Sequence, residues 1–264
     1  MRSPHSFAAY LFDLDGTVYL GPDLIPGADR AIASLRAAGR RTMFLSNKPI
    51  ATRASYAEKL TKLGIPTPES DVLNSPLALA RHLAREMPGA RCYVIGEAPV
   101  LEDLLAAGMR IVNDPRETDV VVVSWDRDFN YRKLDDALHA LRHGARLVGT
   151  NPDVACPMPG GDFVPDCGAI AAAVEACSGR QVEAYAGKPS PILAELALAR
   201  MGVPAAECLM VGDRLGTDIL FGRNAGMGTA LVLTGAGRLT PSGESDIQPQ
   251  FILESIAELV MPQS

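Results

Sequence analysis

Short, unbroken apolar runs recur along the whole chain and constrain its folding more than any other feature. Ala8–Phe12, Thr42–Leu45, Cys92–Ile95, Val120–Val123, Arg146–Val148, Glu183–Tyr185, Cys208–Val211 and Thr229–Leu233 read as strands. The runs are continuous rather than alternating, the pattern of strands buried on both faces. Amphipathic helical segments lie between them. In one, Ala28, Ile32 and Leu35 share a face and Gly39 supplies the stop; others end near Gly64, Gly202 and Gly226. Ser190-Pro191 reads as a helix N-cap followed by proline at the first helical position. Repeated strand–helix units predict an α/β fold with a mostly parallel sheet. The polar stretch Gly235–Pro249 predicts a surface loop before a last short strand and helix.

Composition excludes several classes of function. Lys+Arg 25 against Asp+Glu 31 gives a net charge of −6, which argues against nucleic acid or an anionic membrane as partner. No apolar run reaches the ~18 residues needed to span a bilayer. Met1-Arg2-Ser3-Pro4-His5 leads into a strand-like segment without a signal-peptide pattern. Cys92, Cys156, Cys167, Cys177 and Cys208 are scattered and form no CxxC pair. They read as reduced thiols, and a cytoplasmic location is the expectation.

Chemistry-bearing residues follow the strand-like runs. Asp13-Leu14-Asp15-Gly16-Thr17 follows Ala8–Phe12, and Ser46-Asn47 follows Thr42–Leu45. Gly187-Lys188-Pro189-Ser190 follows Glu183–Tyr185. Gly212-Asp213-Arg214-Leu215-Gly216-Thr217-Asp218 follows Cys208–Val211, and its last residue begins a helix. In a parallel sheet all these edges can converge on one crevice. Aspartates gathered there would repel one another without a cation, which points to a hard divalent metal, most simply Mg²⁺. An aspartate nucleophile, Mg²⁺ and a lysine fit phosphoryl transfer through an aspartyl-phosphate.

The four motifs, in this order, resemble the haloacid dehalogenase superfamily of phosphohydrolases. Asp13–Gly21, the long gap between Ser46 and Lys188, and Gly149-Thr150-Asn151-Pro152-Asp153 resemble its p-nitrophenyl phosphatase and ribonucleotide monophosphatase branch, subclass IIA. The resemblance implies a Rossmann-like, doubly wound core with an inserted C2-type α/β cap. By that match Asp13 is the nucleophile and a metal ligand. Asp15 is the general acid/base, with its carbonyl on the metal. Ser46 and the Asn47 amide hold the phosphoryl group, and Lys188 offsets its charge. Asp213 is a metal ligand, with Asp218 behind it.

A crossover helix needs only about a dozen residues, so the interval from Ser46 to Lys188 must hold more. Helical patterns at Arg53–Gly64 and Pro76–Met87 extend the core, which is expected over 1–87 and 183–264, with the cap over 88–182. By resemblance, a cap closing over the crevice excludes water and selects the leaving group. The loop holding Asn151, Asp153 and Cys156, with Pro159, Gly160 and Gly161, then contacts substrate; a plain returning turn is the alternative. Pyridoxal phosphatases carry a histidine where Cys156 aligns, which argues against pyridoxal phosphate. Lys48 suits either a second anionic group of the substrate or plain solvation.

Other signals are weaker. His139 and His143 share a helix face with Asp135, Asp136 and Arg142, as a solvated face would. Trp125 and Phe129 suit either a cap-to-cap homodimer, as relatives form, or the cap core. The expected activity is Mg²⁺-dependent hydrolysis of a small phosphorylated metabolite: sugar phosphates, glycerol or glycolate phosphate, p-nitrophenyl phosphate. Nucleoside monophosphate hydrolysis and phosphotransfer on the same scaffold are alternatives. A receiver-type signalling module is a third, disfavoured by the length of the chain and the DxDGT pattern.

Overall fold

The computed structural model describes residues 3–157, 162–235 and 246–261. The chain divides into two compact units. The first comprises Met1–Ser46, Arg53–Leu73 and Ala194–Ser264; the second comprises Asn47–Thr52 and Asn74–Leu193. The second unit therefore takes in more chain than residues 88–182.

The first unit opens with β1 (Ala9–Asp13), then a short hairpin of β2 (Tyr19–Leu20) and β3 (Asp23–Leu24). Helix α1 (Ala28–Ala37) buries Ala28, Ala31, Ile32 and Leu35. After it come β4 (Arg41–Ser46), α2 (Arg53–Lys62) and β5 (Val72–Asn74). The second unit follows with α3 (Ser75–Glu86), capped by the Asn74 carboxamide, which accepts from Leu77 N–H at 3.1 Å. Its further elements are β6 (Arg91–Ile95), α4 (Ala98–Ala106), β7 (Arg110–Ile111), β8 (Val120–Val123), α5 (Tyr131–Arg142) and β9 (Arg146–Gly149). A ribbon of β10 (Ala155–Pro157) and β11 (Phe163–Pro165) precedes α6 (Cys167–Ser178) and β12 (Ala184–Tyr185). Helix α7 (Pro191–Met201) starts at the expected proline, with Ser190 Oγ accepting from Ile192 N–H at 3.2 Å. The chain then completes the first unit with β13 (Cys208–Gly212), α8 (Leu220–Asn224), β14 (Gly228–Val232) and β15 (Phe251–Leu253).

Two parallel sheets organise the units. The six-stranded sheet runs β15-β14-β13-β1-β4-β5, and the five-stranded sheet β12-β9-β8-β6-β7. All eight expected strands are present, with ends displaced by a residue or so. Ala9, Tyr10, Leu11 and Phe12 of β1 and all four valines of β8 are fully buried, which explains their unbroken apolar runs. A helical turn, Ile256–Leu259, follows β15 as expected. Most of the loop expected over Gly235–Pro249 lies outside the described residues, as do Pro159, Gly160 and Gly161.

In the second unit, Tyr93, Ile95, Val121, Val123, Ala137, Leu141, Leu147, Ile170 and Val174 form one apolar core. Phe129, partly buried, packs against that core, and Trp125 is 4% exposed. His139 and His143 are exposed. All five cysteines are free thiols. No helix among the described residues is long and apolar enough to cross a membrane.

Candidate active site

In the six-stranded sheet the chain steps from β1 to β4 and β5 on one side, then returns to β13, β14 and β15 on the other. The order reverses between β1 and β13, and ligands of open α/β sheets bind beyond the carboxyl ends of strands at such a point. Asp13 ends β1, paired in register with Leu45; Ser46 ends β4, and Asp213 follows β13 directly. Three of the sequence motifs thus emerge side by side from one sheet edge.

A tight turn shapes the edge after β1. The Leu14 carbonyl accepts from Thr17, Val18 and Tyr19 N–H at 3.3, 2.9 and 3.2 Å, and Gly16 N–H donates to Tyr19 O at 2.7 Å. Gly16 sits at φ +93°, and a Cβ there would fall 2.5 Å from Asp213 Oδ2. Glycine is therefore required twice, for its backbone conformation and for the close approach of the carboxylate. Thr234, which no sequence pattern singled out, donates from Oγ1 to Gly16 O at 2.6 Å and ties the turn to the segment after β14.

Asp13, Asp213 and Asp218 each present a carboxylate oxygen within 4.8 Å of the others. Asp213 is 3% exposed and Asp218 1%. Asp218 Oδ2 accepts from Arg214 N–H at 3.1 Å, and a side chain on Gly212 would run into it. The helix expected at Asp218 begins as a π-helical turn, Leu215–Ile219, which places this residue back over the end of β13. Asp15 is exposed beside the hairpin. Burial pushes the nearby Tyr19 hydroxyl well above the usual tyrosine range, with the charges of Asp15 and Asp13 adding to the effect. Lys59 stands 3.3 Å from the centre of the Tyr19 ring and donates to Gly21 O at 2.8 Å.

Three carboxylates drawn together out of water repel one another. Such a donor set, all oxygen and all anionic, fits a hard divalent cation of the Mg²⁺ type.

The second unit holds Lys188 and Asn47. Lys188 is 2% exposed. Asn47 Oδ1 accepts from Lys188 N–H at 2.7 Å, and Asn47 Nδ2 donates to Lys188 O and to Asp153 Oδ2, both at 2.9 Å. Asn151, fully buried, donates to Asp153 Oδ2 at 3.1 Å and to Asp166 Oδ1 at 3.2 Å, and Thr150 Oγ1 donates to Asn151 Oδ1 at 2.9 Å. Asp166 was not legible as a site residue. The signal available was its place before Cys167, where it caps α6 by accepting Cys167 N–H at 2.6 Å. Burial pushes its carboxyl up to about 6, against the hydrogen bonds from Cys167 and Asn151; Asp153 raises it further and Lys48 lowers it. Lys48 itself is half-buried. Cys156 is buried in β10, with its thiol toward Pro157 O.

Comparison with known proteins bears on all of this. A family model for haloacid dehalogenase-like hydrolases matches residues 10–110, and a HAD-hydrolase-like model matches residues 185–259. The chain is 36% identical to the sugar-phosphatase AraL of Bacillus subtilis over 97% of its own length and 93% of that protein. It is 37% identical to an acid sugar phosphatase of Staphylococcus aureus, covering 96% of this chain and 98% of that one. Among solved structures, a 4-nitrophenylphosphatase from Thermotoga maritima superposes with a TM-score of 0.89 at 33% identity, over 97% of both chains. A p-nitrophenyl phosphatase from Archaeoglobus fulgidus gives 0.88 at 31% identity, over 97% of this chain and 98% of that one. With the motif order, the doubly wound sheet and these likenesses in agreement, the chain belongs to the haloacid dehalogenase-like hydrolases, in their subclass IIA phosphatase branch.

Proposed function

We propose that the protein hydrolyses small phosphomonoesters, sugar phosphates foremost, through an aspartyl-phosphate on Asp13. The observation that carries this reading is the gathering of Asp13, Asp213 and Asp218 within 4.8 Å beyond the ends of β1 and β13. The sugar phosphatases at 36% and 37% identity support the choice of substrate. Glycerol and glycolate phosphates and p-nitrophenyl phosphate fit the same pocket chemistry.

The residues divide the work. A carboxylate oxygen of Asp13 attacks phosphorus as the ester P–O bond breaks. Asp15, exposed beside the turn, gives its proton to the departing alkoxide. It then takes a proton from the water that attacks the acyl phosphate, so inorganic phosphate leaves and both aspartates return to their starting state. The Ser46 hydroxyl and the Asn47 amide donate to phosphoryl oxygens, and Lys188 offsets their charge. Mg²⁺ held by Asp13, the Asp15 carbonyl and Asp213, with Asp218 behind them, would screen the anionic nucleophile from the anionic phosphoryl group.

Phosphate release from a panel of phosphorylated metabolites with Mg²⁺ tests the reading. Ranked by kcat/KM, sugar phosphates should stand ahead of nucleoside monophosphates; the reverse order would move the substrate to nucleotides. Asp13→Asn should lose about 10³-fold or more in kcat with its circular dichroism unchanged. Full turnover in that variant would refute the covalent mechanism.

A further inference from the structure

The motif match uses only the backbone amide of Asn47, yet its side chain makes three hydrogen bonds of its own. A carboxamide offers one acceptor oxygen and two N–H donors. Asn47 spends the oxygen on Lys188 N–H at 2.7 Å and the nitrogen on Lys188 O and Asp153 Oδ2, both at 2.9 Å. It thus grips one residue from both sides of its main chain, across a sequence separation of 141. Neither aspartate nor alanine can reproduce this: one lacks the donors and adds a charge facing Asp153, the other lacks every group.

The surroundings are built for the grip. Ser75 Oγ donates to Asn47 O at 2.7 Å, which fixes the backbone that carries the carboxamide. Gly187, one residue before the lysine, leaves space for it: a Cβ there would fall 2.5 Å from Asn47 Oδ1 and 2.9 Å from Thr150 O. Gly187 N–H also donates to Thr150 O at 2.7 Å, so the glycine backbone is held against the Thr150–Asn151 segment. Asp153, the third partner, takes a second bond from Asn151 at 3.1 Å. Lys188 itself is buried, so the course of its side chain follows from where its main chain is held.

We propose that Asn47 is, through its side chain, a positioning residue for Lys188, with Asp153 as the anchor of the grip and Gly187 as the space that admits it. The inference rests on the reading of Lys188 as the cation that offsets phosphoryl charge. A cation that must meet developing charge acts mainly in the transition state, and a misplacement near 1 Å can cost about 10²-fold. Removing the carboxamide should therefore lower kcat and leave KM nearly alone, because the Asn47 backbone amide assigned to the phosphoryl group is retained in the alanine variant.

The test is a double-mutant cycle on p-nitrophenyl phosphate hydrolysis with Mg²⁺. Asn47→Ala should lower kcat about 10- to 100-fold with KM within about threefold, and Lys188→Ala should lower it further. The double variant should be no slower than Lys188→Ala alone, since the asparagine acts only through the lysine. Gly187→Ala, which leaves both side chains intact but displaces Oδ1, should lose kcat in the same direction, and it decides the matter if Asn47→Ala does not fold. Wild-type kcat in Asn47→Ala, or losses that multiply in the double variant, would overturn the proposal while the role of Lys188 stood. Full activity in Lys188→Ala would instead remove the reading on which the proposal is built.

Discussion

In the six-stranded sheet the strand order reverses between β1 and β13; in the five-stranded sheet it reverses between β6 and β8. Both points present loops rich in carboxylates, but the charges are arranged differently. Beyond β6 and β8 lies a cavity of about 500 Å³ lined by Gly96, Glu97, Asp126, Arg127, Asp128 and Lys133. There two of the three acids meet a cation. Arg127 meets Glu97 through two bonds of 2.7 and 2.6 Å and holds that carboxyl below the usual range, and Lys133 Nζ lies 2.6 Å from Asp126 Oδ2. Beyond β1 and β13 the acids cluster with one another, three oxygens within 4.8 Å. One topology thus places ion pairs at the strand ends in one unit and, in the other, a cluster of three carboxylates whose donor set fits a divalent cation.

The largest expected effect separates the two at once. Asp213→Asn should lose about 10²-fold or more in kcat and its Mg²⁺ uptake by calorimetry.

Asp166 comes next, a buried acid satisfied by N–H donors rather than by a metal or an ion pair. Its folded pKa of about 6 lies above the ordinary 3.8, so the folded protein holds this proton where the unfolded chain has released it. Stability from this group is complete below about pH 4 and falls as pH rises to about 6, by up to about 3 kcal/mol. Asp166→Asn keeps the capping oxygen and should remove that slope, which denaturant unfolding at several pH values will measure.

Smaller again is Asp126→Asn, which should destabilise by about 1–2 kcal/mol by stranding Lys133. Glu97→Gln, whose partner Arg127 is largely exposed, should cost under about 1 kcal/mol by thermal unfolding. A stabilising Asp126→Asn would erase the distinction between the two sheets.

What the sequence made legible follows the same division. The long buried strands declared themselves because both faces are apolar, and the core aspartates because each stands at the end of such a run. The hairpin of β2 and β3, the ribbon of β10 and β11, and the short strands β5 and β7 did not. They are two or three residues long, and pairing with distant chain rather than local pattern makes them strands. Gly21-Pro22 was the one local cue to the hairpin. The Asn47 carboxamide and Asp166 were illegible for a related reason: their partners lie elsewhere in the sequence, and nothing in the residue type reveals them.

The first of the four crossings between the units falls between Ser46 and Asn47, a single peptide bond inside one motif. Anyone grafting the insert of a relative onto this protein therefore faces a choice of splice points. Joints at the unit boundaries transplant the lysine together with its holder, whereas joints at 88 and 182 leave the pair with the recipient and exchange Asp153 alone, so chimeras of the two designs should differ in turnover before they differ in substrate preference.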